Sequence, residues 1–303
     1  VKVSIALEEL GLAYEAHQQG AGASADAEAD LRRGAALTLL EDPLYLGEAG
    51  LAARFLDYVD QRAGLLLGRG GAEGRPATYR FPHRTFQEYL AGCHVVGQRD
   101  VGARELWRRA AEGEDWHLAA QLGAEELFYN RQNEYGLLDL AYRLCPAEAP
   151  KDARGWRATL WSGHMATLLG RPFVVADVDT PGGGAVYWAR LVARLVQALE
   201  GKALRAPSRA EAGRLLARLG DPRPGVGLDA DGLPDIAWCE ILAGPFLMGS
   251  DDADEMADDD EKPQHKRTLP TFKIGQYPVT NSQYQSFVEA GGYGIEELWR
   301  EAA

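Results

Sequence analysis

Eight carboxylates crowd residues 251 to 261: Asp251, Asp252, Asp254, Glu255, Asp258, Asp259, Asp260 and Glu261. Oxygen donors at that density could hold Ca²⁺. The D-x-[DN]-x-[DN]-G spacing of a calcium loop is absent, so the run reads as a solvated surface loop. His265 follows without companions at transition-metal spacing. The three cysteines, Cys93, Cys145 and Cys239, lie far apart and are odd in number. They read as small core residues rather than a disulfide framework or a zinc cluster. Pro181-Gly182-Gly183-Gly184 is glycine-rich but lacks the lysine and hydroxyl residue of a phosphate loop. No G-x-x-x-x-G-K-[ST] occurs in the sequence, so this stretch reads as a turn or linker.

The 303 residues are 46% hydrophobic, enough for ordinary cores in two domains or more. A net charge of -13 disfavours non-specific nucleic-acid binding. No run approaches about 18 uninterrupted apolar residues, and no charged-then-apolar leader opens the chain. The expectation is a cytoplasmic protein with no membrane or nucleic-acid partner. Val1 falls inside what reads as a helix, which suggests an internal fragment of a larger protein.

Helical periodicity marks residues 1–19, about 26–40 and 47–62, with Leu51, Phe55, Leu56 and Val59 sharing a face in the third. The period then changes. Gly64-Leu65-Leu66-Leu67 and the alternating Ala77-Thr78-Tyr79-Arg80-Phe81 predict a hairpin around a glycine-rich loop. A helix follows, with Phe86, Tyr89, Leu90 and Cys93 at i, i+3, i+4 and i+7. Residues 101–219 read as helix pairs. Trp107, Trp116, Trp156, Trp161 and Trp188 are expected as core anchors. Ser208-Arg209-Ala210-Glu211 has the capping-box pattern, and Gly220 is a C-terminal stop. The Pro/Gly-rich 221–236 reads as an extended linker. Beyond it, strands are predicted at 236–241, 246–248 and 271–274, with a helix at 281–290.

The string Phe81-Pro82-His83-Arg84-Thr85-Phe86-Gln87-Glu88-Tyr89-Leu90-Ala91 resembles the F-x-H-x-x-F-Q-E-[FY]-x-A motif of NACHT-type STAND signalling NTPases. The resemblance implies a winged-helix domain over 1–99 and a HEAT-like array over 100–220. It also implies ADP and ATP as ligands of an intact protein, with oligomerisation through an NTPase core. His83 matches the position that contacts ADP phosphate in the resting state. A DNA-reading winged helix is disfavoured, because residues 1–100 hold 10 Lys/Arg against 14 Asp/Glu.

A second resemblance lies near the C-terminus. Gly244-Pro245-Phe246-Leu247-Met248-Gly249-Ser250, Glu261-Lys262-Pro263 with His265, and Tyr277-Pro278-Val279-Thr280-Asn281 with Tyr284 and Phe287 are similar in order to the opening of formylglycine-generating-enzyme domains, the sulfatase-modifying-factor family. That implies an α+β, C-type-lectin-like domain from 237 to 303, of which the first part is present. Calcium, and copper or iron, are implied for the complete domain. The expectation is a mainly α chain followed by this domain, inactive as a fragment. The resemblances together imply a nucleotide-switched signalling protein whose last domain is expected to recognise a protein or small ligand. The alternative is that the complete C-terminal domain is an oxidoreductase, generating formylglycine on sulfatases or acting as an iron-dependent relative.

Overall fold

The computed structural model describes residues 31–43, 45–72, 75–97, 101–179 and 182–300. The helix expected over 1–19 and the start of the next lie outside the described residues. The chain divides into two compact units, the first ending at Gly220 and the second beginning at Asp221.

The first unit has two cores. In the smaller, strand β1 (Leu31–Arg32) leads into helix α1 (Arg33–Leu40), and α2 (Ala49–Tyr58) continues as a π turn to Ala63. Gly64, at φ +62, ends that turn, a conformation glycine adopts without strain. Strands β2 (Leu67–Arg69) and β3 (Thr78–Arg80) form the predicted hairpin. β1 adds to its other edge, giving the antiparallel order β1-β3-β2. Leu31 and Arg32 are therefore strand where periodicity predicted helix, because pairing with Thr78 and Tyr79 supplies their backbone partners. Leu40, Leu56, Leu66 and Tyr79 are fully enclosed in this core.

The larger core is shared by α3 (Arg84–Gly97), α4 (Gly102–Glu112), α5 (His117–Glu125, extended by a π turn to Asn130), α6 (Glu134–Leu144), α7 (Ala153–Leu169), α8 (Arg171–Ala176), α9 (Gly183–Glu200) and α10 (Ala206–Leu219). Caps explain several boundaries. Asn133 and Asp152 accept from the N–H groups of Gly136 and Gly155, and Gly220 ends α10 at φ +100. Trp116, Trp161 and Trp188 are buried, while Trp107 and Trp156 pack partly exposed against the same core. The Arg109 guanidinium lies 4.0 Å from the Trp116 ring centre. Cys93 and Cys145 are buried core residues and Cys239 is half-buried.

Three expectations in this unit differ in the structure. Phe86 is 46% exposed, and the buried face of α3 is Gln87, Glu88, Ala91, Gly92, Cys93, Val95 and Val96. Small residues face α5 because the two backbones nearly touch at Gly92 and Gly123. Ser208 is not a cap: α10 starts earlier, with Pro207 in its first turn, and the Ser208 hydroxyl donates to Glu114 at 2.8 Å. Gly182 is in the expected turn, at φ +90, while Gly183 and Gly184 already open α9. A β-carbon on Gly184 would collide with the Val174 carbonyl.

The second unit contains β4 (Trp238–Ile241), β5 (Gly244–Met248), β6 (His265–Leu269), β7 (Phe272–Gly275) and α11 (Asn281–Glu289). β4 pairs antiparallel with β7, and β5 with β6. Val226 is the one buried apolar side chain with more than glycine's bulk among its described residues. The strands expose Trp238, Phe246, Leu247, Met248 and Ile274.

Candidate functional site

His83 lies where the sequence placed it, between the end of β3 and the start of α3. Its side chain is exposed and its ring centre is 5.8 Å from that of Phe86. Its carbonyl accepts from the Phe86 N–H at 3.2 Å, which turns the chain into the helix. Arg80 and Arg84 flank it. Arg84 pairs with the buried carboxylate of Glu88 at 3.0 Å, and the Arg80 Nε is enclosed without a hydrogen-bond partner. An exposed imidazole beside the amino end of a 14-residue helix suits a contact to an anionic oxygen.

One turn on, the Tyr89 hydroxyl donates to Glu126 at 2.6 Å. That hydrogen bond, aided by burial, pushes the phenol pKa up. Burial alone would raise the Glu126 carboxyl. Hydrogen bonds from Asn130, Tyr89 and Arg131 outweigh it and hold the carboxyl below its usual range.

In the second unit the residues of the C-terminal resemblance are joined by backbone geometry. β5 pairs with β6 so that Met248 faces His265. Gly249 follows at φ +85, where a β-carbon would lie 2.5 Å from the Glu261 carbonyl oxygen. The Ser250 N–H donates to that carbonyl at 2.9 Å, and Gln264 Nε2 reaches the Gly249 carbonyl at 3.2 Å. The G-S and E-K-P-Q-H signals thus form one loop closure. His265 Nδ1 lies 3.0 Å from the Pro263 carbonyl.

The third signal is a helix start. Thr280 caps α11, and the Gln283 side-chain oxygen accepts from the Thr280 N–H, completing a capping box. Gln283 is also buried, and its amide reaches the carbonyls of Asp235 (2.5 Å) and Gly225 (3.3 Å). The Thr280 hydroxyl donates to the Val226 carbonyl at 2.9 Å. Residues 225–235 are therefore strapped to α11 and are not an extended linker. Thr280-x-x-Gln283 carries a capping-box signal in the sequence, but the reach of Gln283 back to Gly225 and Asp235 is not local and leaves none.

Between β4, β7 and the chain entering α11 lies an open cleft of about 470 Å³. Ile236, Trp238, Ile274, Tyr277 and Val279 line it, with Gln276 and Gln283 as polar members. The acidic loop borders a second cleft with Met248, Lys262 and His265. Among the described residues no three His, Cys, Asp or Glu side chains converge as a metal site. No described helix is long and apolar enough to cross a membrane.

Residues 236–303 match the family model of the sulfatase-modifying factor enzyme 1-like domain. The C-terminal part carries a domain of this type. The chain is 40% identical over 89 residues to hercynine oxygenase of Mycolicibacterium thermoresistibile, covering 28% of this chain and 20% of that protein. It is 38% identical over 78 residues to hercynine oxygenase of Mycolicibacterium smegmatis, covering 25% and 18%. It is 42% identical over 53 residues to the formylglycine-generating enzyme of Thermomonospora curvata, covering 18% of each. The chain spans about a fifth of the length of these curated relatives. No solved structure gives a match.

Proposed function

We propose that the protein containing these residues is an oxidoreductase of the formylglycine-generating-enzyme type, in which 236–303 build the opening of the catalytic domain. The observation that carries this reading is that the first two motifs close one loop while the third caps α11 and ties it to 225–235. The β5–β6 pairing, the Gly249 closure and the Thr280–Gln283 cap are backbone demands that the family's residue types satisfy. The relatives that share this segment carry oxygenase and formylglycine-generating names, which favours catalysis over ligand recognition. The described residues do not fit a copper or iron centre, so they have no assigned part in oxygen chemistry. Their role is structural: they hold the cleft beside Trp238 and Tyr277 and fix the start of α11.

The test uses the complete gene product, assayed for oxygen consumption with hercynine and for conversion of cysteine to formylglycine in a sulfatase-derived peptide. Turnover of either above a no-protein control supports the reading and selects the branch. Turnover of neither by folded, metal-loaded protein overturns it in favour of recognition.

The helical unit supports a second reading that is compatible with the first. We infer that ADP control of the protein acts through His83, because its imidazole is exposed at the β3–α3 joint. The winged-helix, HEAT-like and nucleotide-switch assignments all belong to this proposal.

A further inference from the structure

Two histidines of the helical unit take no part in either proposed site. His164, in α7, is 7% exposed, and its Nε2 is enclosed without a hydrogen bond. The Glu125 carboxylate at the end of α5 is 3.6 Å from that nitrogen, too far for a good hydrogen bond. His117 opens the same helix and is half-buried. The two imidazoles are near enough for a charge on one to oppose a charge on the other. α10 contributes the remaining charged groups: Glu211 and Arg218 act on His164, and Glu211 and Arg214 act on His117. Glu114, just before α5, also acts on His117.

We propose that the joint of α5, α7 and α10 is an acid-sensitive latch, closed around two neutral imidazoles at neutral pH and loosened as they take up protons. Burial is the largest influence on both rings and disfavours their charged forms. Glu125, Glu211 and Glu114 pull the other way without overcoming it, and both pKa values stay below the usual 6.5. An open or unfolded joint therefore binds protons before the closed one does. The closed joint has its full stability above the ordinary imidazole value and loses it as pH falls from there toward the depressed values. A proton on one ring disfavours a proton on the other, so the closed joint holds two charged imidazoles less readily than an open one does.

The test is amide exchange of the full chain at about pH 7.5 and about pH 5.5, corrected for intrinsic chemical rates. α5 and α10 should open more at the lower pH, by at most about tenfold for each ring, because pH 5.5 lies about one unit below the ordinary imidazole value. α1 and α2, in the other core, provide the internal control. His164→Gln keeps a polar side chain that does not titrate and should flatten the response. Titration of the ring protons by NMR in the unmodified chain decides the matter even if that variant fails to fold. A His164 that titrates above 6.5, as an ion pair with Glu125 would require, overturns the proposal. So does an α5 and α10 response no larger than that of α1 and α2.

Discussion

Gly92 of α3 and Gly123 of α5 meet backbone to backbone, and neither position has room for a β-carbon. On Gly123 that atom would lie 2.7 Å from the Gly92 carbonyl oxygen, and on Gly92 it would strike the Ala119 carbonyl. Ala91, Ala119, Ala120 and Ala124 complete a crossing made of the smallest side chains, all buried. The helix that begins beside His83 is thereby fixed to the helical array, with the Tyr89–Glu126 hydrogen bond as a second tie.

Replacing Gly123 by Val should force the helices apart. Overpacking typically costs about 1–3 kcal/mol, and here backbone is the obstacle, so the upper end is expected. Gly213→Ala in α10 is the control: its β-carbon would meet only Leu199 at an ordinary 3.8 Å. Better helix propensity should leave that variant unchanged or up to about 1 kcal/mol more stable. Urea unfolding of both variants measures the contrast. Equal effects would show that the crossing is not tight.

Arg194 of α9 is the next expected weak point. Its guanidinium donates to the carbonyls of Pro146 (2.5 Å), Ala147 (2.8 Å) and Glu148 (2.6 Å), and Arg190 reaches the Cys145 carbonyl. Together they hold the loop that leaves the negative end of α6. Arg194→Met keeps the buried stem and removes the donors. Water can reach the exposed backbone of 147–149, which limits the loss to about 1.5–3 kcal/mol. Exchange protection should fall most at 145–150 and at the end of α6.

Much of this architecture is legible in the residues. Leu137, Leu138, Leu140, Ala141 and Leu144 announce α6, and all five are buried. The α3–α5 crossing is not legible, because alanine and glycine carry almost no hydropathy signal while making the closest contact. β6 escapes for a different reason: His265 to Leu269 are all exposed, so pairing with β5 rather than burial makes them a strand. The position of His83 follows from its own string, whereas the reach of Gln283 back to Gly225 and Asp235 depends on how the chain returns.

Tyr89→Phe removes one of the three donors that hold the Glu126 carboxyl below its usual range. A carboxyl with a depressed folded pKa stabilises the fold above its unfolded value and loses that contribution as pH falls through the folded one. The Glu126 pKa should therefore rise in the variant. The acid unfolding midpoint should move to higher pH. Carboxyl NMR titration reads the first and circular dichroism the second. An unmoved Glu126 would mean that Asn130 and Arg131 suffice.

Gly249→Ala tests the loop closure of the second unit. The residue must adopt φ +85 and would press on the Glu261 carbonyl. Strain of this kind costs on the order of 1–3 kcal/mol. The expected result is faster exchange at β5, β6 and the Ser250 amide, with α6 and α7 unchanged. Full protection of Ser250 in the variant would show that the closure does not need glycine.

His83→Leu tests the nucleotide reading in the complete protein. The imidazole is exposed, so its loss should leave the fold intact. A hydrogen bond to a charged phosphate contributes on the order of 1.5–3 kcal/mol, which predicts ADP binding weaker by roughly ten- to a hundredfold. The resting population should fall with it, because a ligand shifts a switch only by its differential affinity for the two states. Calorimetric titration with ADP, paired with melting curves in its presence and absence, separates the outcomes. Unchanged affinity with equal loss of melting temperature in both conditions would make His83 a packing residue of the β3–α3 joint and remove the nucleotide switch from the proposal.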